Sequence, residues 1–158
     1  MSTLEDTVAK LAQRVQALED ELAIHRVIVQ YGFAVDTGEA DATAALYTED
    51  TVFNVDGGFT MKGRQGVRDM VLGASHQSLL PNAAHAIGPA VVKLNGDKAT
   101  ATGYTRIYHK EGDNIRLFRL AFNHWEMERH DGRWLIAHRT ARMVGHEESA
   151  SVLRKGLP

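Results

Sequence analysis

Residues 84–143 read AHAIGPAVVKLNGDKATATGYTRIYHKEGDNIRLFRLAFNHWEMERHDGRWLIAHRTARM. Four runs in this stretch have the length and residue types of β-strands, namely 84–94, 99–110, 115–129 and 134–143. The turns between them have the Gly, Asn and Asp chemistry that hairpins require: Asn95-Gly-Asp, Glu111-Gly-Asp-Asn and His130-Asp-Gly. The stretch therefore predicts an antiparallel meander of four strands.

The chain before the meander is mainly helical in its pattern. Helices are predicted over 3–34, 42–47 and 63–78, and a strand pair over 51–55 and 59–62 around the turn Asp56-Gly-Gly. Thr3 with Asp6 matches a capping box at the start of the first helix. Helices followed by hairpin strands indicate an α+β fold rather than repeated βαβ units. A curved sheet wrapped around a helix would leave an open mouth, where small-molecule pockets are favoured.

The predicted 3–34 helix carries apolar residues at alternating spacings of four and three. These residues are Leu4, Val8, Leu11, Val15, Leu18, Leu22 and Val29, and His25 stands where one more would fall. The pattern is a heptad stripe of just over three repeats. It fits an amphipathic helix that packs on the protein's own sheet. Over the first 20 residues it equally fits a coiled coil between subunits, and both interpretations remain open.

Composition restricts the classes of function. A length of 158 residues indicates one domain, and 44% hydrophobic with 24% charged residues is typical of a folded globular protein. A net charge of −2 argues against a nucleic-acid partner. No apolar run is long enough to span a membrane, and the start Met-Ser-Thr-Leu-Glu-Asp does not resemble a signal peptide. Without cysteine, disulfides and thiolate chemistry are excluded. The absence of cysteine leaves the compartment open, but a small secreted domain would more often carry disulfides, and a cytoplasmic location is expected.

Asp36 and His85 are the candidate catalytic residues. Asp36 follows the apolar Phe33-Ala-Val, which is expected to face the core, so its carboxylate either caps a turn or is partly buried. A buried carboxylate needs a partner, and a histidine is a natural one. His85 begins a strand among small apolar residues and is either a core histidine bonded to backbone or a general base.

Other residues give weaker signals. No pair of histidines has metal-ligand spacing, and neither a P-loop nor a G-x-G-x-x-G motif occurs, so no metal or other cofactor is predicted; a metal site assembled from distant strands stays open. His76 is expected late on a surface helix. Arg139, in the last strand, could anchor a carboxylate or an oxyanion if it points inward. Tyr104 and Phe118 are expected in the core or pocket wall and, with Phe33, are candidate substrate contacts.

Several segments together resemble SnoaL-like proteins of the NTF2-like superfamily. They are AIHRVIVQYGFAVD at 23–36, YTEDTVF at 47–53, KGRQG at 62–66, AHA at 84–86 and ERHDGRW at 128–134. The resemblance covers roughly residues 20–143. It implies an α+β cone, in which helices pack on a strongly curved, mixed and mainly antiparallel sheet that encloses a pocket. The domain is therefore placed at 21–143, after a helical extension at 1–20 that carries most of the heptad stripe. The tail at 144–158 carries little pattern and is expected to be loose or docked on a partner.

Within this superfamily the closest similarity is to the branch of scytalone dehydratase, bile-acid 7α-dehydratase and hexachlorocyclohexane dehydrochlorinase. Their pocket His–Asp pair falls on His85 and Asp36, the dehydratase Tyr on Tyr31, and the dehydrochlorinase Arg on Arg139. The dehydrochlorinase Trp falls on Phe53, a departure that changes the pocket wall.

The resemblance implies a cofactor-independent lyase that eliminates water or a similar group from a hydrophobic cyclic or aromatic substrate. It also implies a homo-oligomer, for which a trimer is favoured and a dimer stays open. An isomerase or polyketide cyclase, or a module that binds without catalysis, remains an alternative because the fold hosts all of these.

Overall fold

The computed structural model describes residues 3–158; Met1 and Ser2 of the predicted 1–20 extension lie outside the described residues. The helices are α1 (Leu4–Asp36), α2 (Ala40–Ala44), α3 (Gly63–Leu72), α4 (Ala74–Gln77) and α5 (Ser149–Arg154). The strands are β1 (Tyr47–Val55), β2 (Phe59–Lys62), β3 (Ala83–Asn95), β4 (Lys98–Glu111), β5 (Asn114–His130) and β6 (Arg133–Met143). The α+β order is confirmed.

The six strands form one open mixed sheet in the order β2-β1-β6-β5-β4-β3. The meander β3 to β6 is antiparallel, as predicted, whereas β1 runs parallel to β6. Asp131 and Gly132 in the last hairpin both have positive φ, at 49° and 76°, which is typical of the favoured two-residue turn. Irregularities in register interrupt several strand pairs, for example between Ile87 and Ala90, and such bulges bend a sheet.

Helix α1 begins with the predicted capping box and packs on the sheet only through its second half. The Thr3 hydroxyl accepts from the Asp6 amide at 3.1 Å, and the Asp6 carboxylate accepts from the Thr3 amide at 3.0 Å. Every described residue before Asp20 is exposed. From Asp20 onward Ile24, Ile28 and Val35 are buried, and they join the core with residues such as Trp125.

Three predicted elements differ from the structure, and for the first and the third of them contacts with distant segments override the local pattern. Tyr47, predicted at the end of a helix, begins β1 and pairs with Ile136 of β6. The predicted 63–78 helix breaks at Gly73, whose ψ of 146° is extended. The 144–158 tail, expected to be loose or partner-docked, forms α5, whose Val152 is buried. No helix within residues 3–158 has the length and apolar character needed to cross a membrane.

Candidate active site

Asp36 and His85 form a directly bonded pair between the end of α1 and the start of β3. Asp36 Oδ1 lies 2.6 Å from His85 Nδ1, and Asp36 Oδ2 accepts from the His85 backbone amide at 2.7 Å. The side chains are 20% and 8% exposed. Both carboxylate oxygens therefore form hydrogen bonds with the same histidine. Asp36 is thus partnered by His85 and does not only cap a turn, which was the other interpretation of its position in the sequence.

Gly32 explains how the helix comes close enough for this pair. A Cβ built at Gly32 would lie 2.7 Å from the carbonyl oxygen of His85, closer than real Cβ atoms approach. Only glycine lets α1 touch β3 at this point. The glycine that precedes Asp36 by one helical turn thus sets the distance between the carboxylate and the imidazole.

The hydrogen bond with Asp36 determines which nitrogen of His85 can act as a base. A carboxylate only accepts hydrogen bonds, so Nδ1 carries the proton that it donates to Asp36. In the neutral imidazole Nε2 is then unprotonated. His85 is also one of the residues that line a cavity.

The cavity that His85 lines has a volume of about 160 Å³. Tyr31 and Phe53 form part of its wall, and the Tyr31 ring meets the His85 ring edge-on at 6.2 Å between centroids. Arg139 also lines it, and its guanidinium carbon lies 4.3 Å from the Tyr31 centroid and 4.2 Å from that of Phe53. Four of the predicted residues therefore line one cavity. Asp36 is not among the lining residues but is bonded to His85.

Arg139 is a cation held almost entirely by neutral groups. It is 3% exposed; Nε donates to Asn123 Oδ1 at 3.0 Å, and Nη1 donates to the Tyr47 hydroxyl at 3.3 Å. Within residues 3–158 it forms no ion pair with a carboxylate. Burial raises the pKa of the Tyr47 hydroxyl above its usual range, although the charge of Arg139 offsets part of this effect. The cavity thus contains a positive charge that a developing anion would satisfy.

Sequence analysis did not identify Asn123, Thr105 or Tyr47 as part of the site. Asn123 is fully buried, lines the cavity and donates to the Thr105 hydroxyl at 2.8 Å, so that it orients Arg139. A polar amide between Phe122 and His124 in a strand is the signal that could have indicated it. Tyr47 lies in a segment that carried the family resemblance, but its hydroxyl was not considered.

Three predicted substrate contacts lie away from the cavity. Phe33 was expected to face the core, yet it is 66% exposed on the outer side of α1. Tyr104 and Phe118 are 36% and 46% exposed, and neither lines the cavity. They alternate with Thr105 and Arg119, which do line it, so strand alternation points the two aromatic rings to the opposite face.

His76 also differs from its prediction. It is 9% exposed rather than on the surface, and its Nε2 donates to the Val35 carbonyl at 2.8 Å. It lines a larger groove of about 720 Å³ between β2, α3 and α4. This groove and the inner cavity share Phe59, Met61 and Met70 as walls, so the two spaces adjoin. Within residues 3–158 no group of three or more His, Cys, Asp or Glu is placed to hold a metal ion.

Comparison with known proteins identifies the family. Residues 16–140 match the family model of the SnoaL-like domain. An NTF2-like protein with a cystatin-like fold from Novosphingobium aromaticivorans is 30% identical, with a TM-score of 0.88 over 97% of this chain and 98% of that one. No curated protein matches the chain.

Two more distant structures share the fold. A Mycobacterium tuberculosis protein of unknown function is 20% identical, with a TM-score of 0.74 over 90% of this chain and 89% of that one. A second Novosphingobium aromaticivorans protein, named "Putative Scytalone Dehydratase", is 17% identical, with a TM-score of 0.70 over 81% and 86% of the two chains. The family model spans most of the chain and the most similar of these structures spans nearly all of it, so this protein belongs to the SnoaL-like domain family and has the NTF2-like fold.

Proposed function

We propose that this protein is a cofactor-independent carbon–oxygen lyase that removes water from a hydrophobic cyclic molecule. The observation that carries the proposal is the double hydrogen bond between Asp36 and His85, which leaves Nε2 of His85 as the basic nitrogen at the cavity. The protein named "Putative Scytalone Dehydratase" has the same fold, so the proposed activity is compatible with the fold. Such a site suits proton abstraction from a carbon atom.

In the proposed reaction His85 Nε2 removes a proton from the carbon next to the one that bears a hydroxyl group. The electron pair of that C–H bond forms the new C=C bond, and the C–O bond breaks. Tyr31 donates its phenolic proton to the departing hydroxide, so that water leaves. Asp36 stabilises the imidazolium that forms and keeps its orientation. The proton on His85 then returns to Tyr31 through solvent, which restores both groups.

Arg139 would stabilise the negative charge that develops during the reaction. An imidazole is a weak base, so the carbon acid must be activated, most simply by a carbonyl group on the same ring. A guanidinium is well suited to an enolate-like oxygen because it carries several N–H donors. Arg139 lies over Tyr31 in the same cavity as His85, so the cation stands close to the proposed proton donor. We therefore expect the substrate class to be cyclic β-hydroxy carbonyl compounds.

The size of the cavity limits what reacts there. A cavity of about 150 Å³ is known to hold a benzene ring. The inner cavity of about 160 Å³ therefore accepts one ring of the substrate. Any further part of the molecule would extend past the shared walls Phe59, Met61 and Met70 into the larger groove.

The test begins with a panel of cyclic β-hydroxy ketones screened for thermal stabilisation of the full chain. Compounds that stabilise it are then incubated with the protein, and the product is analysed by mass spectrometry. We expect a product lighter by one molecule of water. His85→Ala and Asp36→Asn should each lower the rate by about 10²–10⁴-fold, the usual contribution of general acid–base groups.

His130→Ala is the matched control, because His130 lies near the last hairpin with half of its side chain exposed. It should keep full activity. Melting curves show whether the His85 and Asp36 variants remain folded. Full activity in either folded variant would overturn the proposed catalytic role of Asp36 and His85. A product of unchanged mass would indicate an isomerase or cyclase instead. Stabilisation by the panel without any turnover would indicate a binding module.

A further inference from the structure

The first half of α1 carries an apolar surface that nothing in the described chain covers. Its members, which we call the apolar stripe, are Leu4, Val8, Leu11, Val15, Leu18 and Leu22. Their exposed fractions range from 52% to 80%. Every residue from Thr3 to Glu19 is exposed, so this part of the helix projects from the body of the protein. A contiguous apolar surface of this kind marks an interaction site.

The stripe continues along the part of α1 that belongs to the body. Val29 is 39% exposed and Phe33 is 66% exposed on the same outer side. A shallow groove, lined by Leu22, Arg26, Val29 and Phe33 among others, follows this side. Beside the stripe, the residues that face the sheet are Asp20 and Ile24, which lie on another side of the helix, so the body does not block the stripe.

We propose that the apolar stripe binds the same stripe of a second copy of this chain in a parallel, in-register, two-stranded coiled coil. The spacings of four and three assign Val8, Val15 and Leu22 to heptad position a, and Leu11, Leu18 and His25 to position d. Within the exposed part of the helix, residues 3–19, the a residues are the β-branched Val8 and Val15 and the d residues include Leu11 and Leu18. Leu4 is a further d position. A β-branched residue at a with leucine at d favours two parallel strands over three or four. The pattern therefore favours a dimer over the trimer that the family resemblance implied.

The charges beside the stripe agree with this arrangement. In a parallel coiled coil, position g of one helix faces position e of the next heptad on the other helix, and opposite charges there set the pairing. Arg14 occupies g and Glu19 the following e, while Glu21 occupies g and Arg26 the following e. Both combinations join opposite charges. Since each occurs twice in a symmetric dimer, the in-register arrangement gains from every one of these contacts.

The fold leaves room for the second copy. Asp20 and Ile24, which face the sheet, fall at positions f and c, the side of the helix away from a and d. Each body would therefore sit on the outer side of its own helix. The two bodies would lie at the same end of the coiled coil, next to the continued stripe at Val29 and Phe33.

The first experiment measures the mass of the full chain by sedimentation equilibrium. We expect twice the 17.4 kDa of one chain. Leu11→Glu places a charge at position d and should give a monomer. Gln13→Glu adds the same charge at the outward position f and should remain a dimer. A trimeric or monomeric wild type, or a Leu11→Glu variant that stays dimeric, would overturn the proposal.

Charge reversal tests the register. Arg14→Glu or Glu19→Arg alone turns two attractions into repulsions and should weaken the dimer about tenfold. The double variant restores opposite charges and should return the affinity to within about threefold of wild type. A double variant whose dimer is as weak as that of the single variants would show that these residues do not face each other.

A single cysteine tests whether the helices are parallel. The natural chain has no cysteine, so Leu18→Cys introduces the only thiol. In the parallel dimer this residue lies beside its copy, and oxidised glutathione should link the two chains by a disulfide. Gln13→Cys, at position f, should stay largely unlinked. A dimeric Leu18→Cys protein that does not cross-link would rule out the parallel arrangement.

Discussion

His124 is a buried histidine whose protonation would act against folding. It is 5% exposed in β5, and its Nδ1 lies 2.8 Å from the Thr102 hydroxyl. Burial is the main cause that lowers the pKa of His124 to about 4, and the positive charge of Lys155 contributes to the same direction. The native state therefore holds this imidazole in its neutral form.

This pKa predicts how stability depends on pH. The folded pKa lies below the ordinary 6.5, so the neutral imidazole is favoured by folding. The contribution of the neutral imidazole to the free energy of unfolding is fully present above pH 6.5. It is lost as the pH falls toward 4, which lowers the free energy of unfolding by about 3 kcal/mol in total. The His124→Gln variant has no imidazole at this position, so its free energy of unfolding should not show this pH-dependent decrease. The advantage of wild type over the variant in free energy of unfolding should therefore narrow on acidification.

Urea unfolding at several pH values between 7 and 4 measures this difference. His130→Gln is the control, because it removes a half-exposed histidine in place of a buried one. If the advantage of wild type over His124→Gln stays constant between pH 7 and 4, His124 is not held neutral by the fold.

At the residue scale, sequence identifies groups with strong chemistry better than groups that orient them. Asp36 and His85 were candidates because an isolated carboxylate or imidazole next to apolar residues needs an explanation, and the family resemblance selected both of them together with Arg139. The sequence did not indicate which face of each strand lines the cavity. Tyr104 and Phe118 were placed in the cavity wall because they are aromatic, yet the polar Asn123 occupies the inward face. Alternation defines two faces, and only the packed sheet decides which one is inside.

At the scale of elements, Asp20 anchors α1 to the sheet. Its carboxylate accepts two hydrogen bonds from Arg129 of β5, at 2.7 and 2.8 Å, and a third from the Trp134 indole of β6 at 3.1 Å. The hydrogen bonds from Arg129, followed by the one from Trp134, lower the pKa of Asp20 to about 2, although burial opposes them. The helix leaves the body at this residue, so one carboxylate fixes the point of departure.

Asp20→Asn should therefore destabilise the fold at neutral pH. The folded pKa lies below the ordinary 3.8, so the stabilisation is present above that pH and is lost as the pH falls toward 2. A shift of this size corresponds to about 2 kcal/mol. Denaturant unfolding at pH 7 should show this loss in Asp20→Asn relative to wild type.

Asp97 offers a matched comparison, because it contacts the same Arg129 at 2.9 Å but its side chain is 80% exposed. An exposed ion pair contributes little, so Asp97→Asn should change the free energy of unfolding by less than about 1 kcal/mol. Equal effects of the two substitutions would contradict the anchoring role of Asp20.

The elements themselves followed from local chemistry wherever a turn or a cap defined their ends. The capping box at Thr3 and the turn at Asp131 and Gly132 are local signals, and both are confirmed. The parallel pairing of β1 with β6 joins segments about 85 residues apart, and nothing in either segment indicates it. The α5 helix likewise depends on contacts with distant strands.

At the scale of the whole molecule, the protein has a packed body and a projecting half-helix, and different interactions stabilise the two parts. The body has the core around Trp125 and the sheet. Residues from Leu4 to Glu19 are stabilised by local helix interactions, including the capping box at Thr3, and, in the proposed dimer, by the second copy. This segment extends a helix that is already formed at Asp20, so it needs no nucleation, but without tertiary packing such a length is marginal.

Dilution should therefore loosen one part of the molecule and not the other. Below the dissociation constant of the dimer, backbone amides in the projecting half-helix should exchange with deuterium faster than at high concentration, whereas those of β4 and β5 should be unchanged. Hydrogen exchange followed by mass spectrometry on peptides of the full chain measures both. The Leu11→Glu variant should show fast exchange in this segment at every concentration. If exchange in the wild-type segment stays slow after the mass has fallen to that of a monomer, the half-helix is stable alone and the second copy does not hold it.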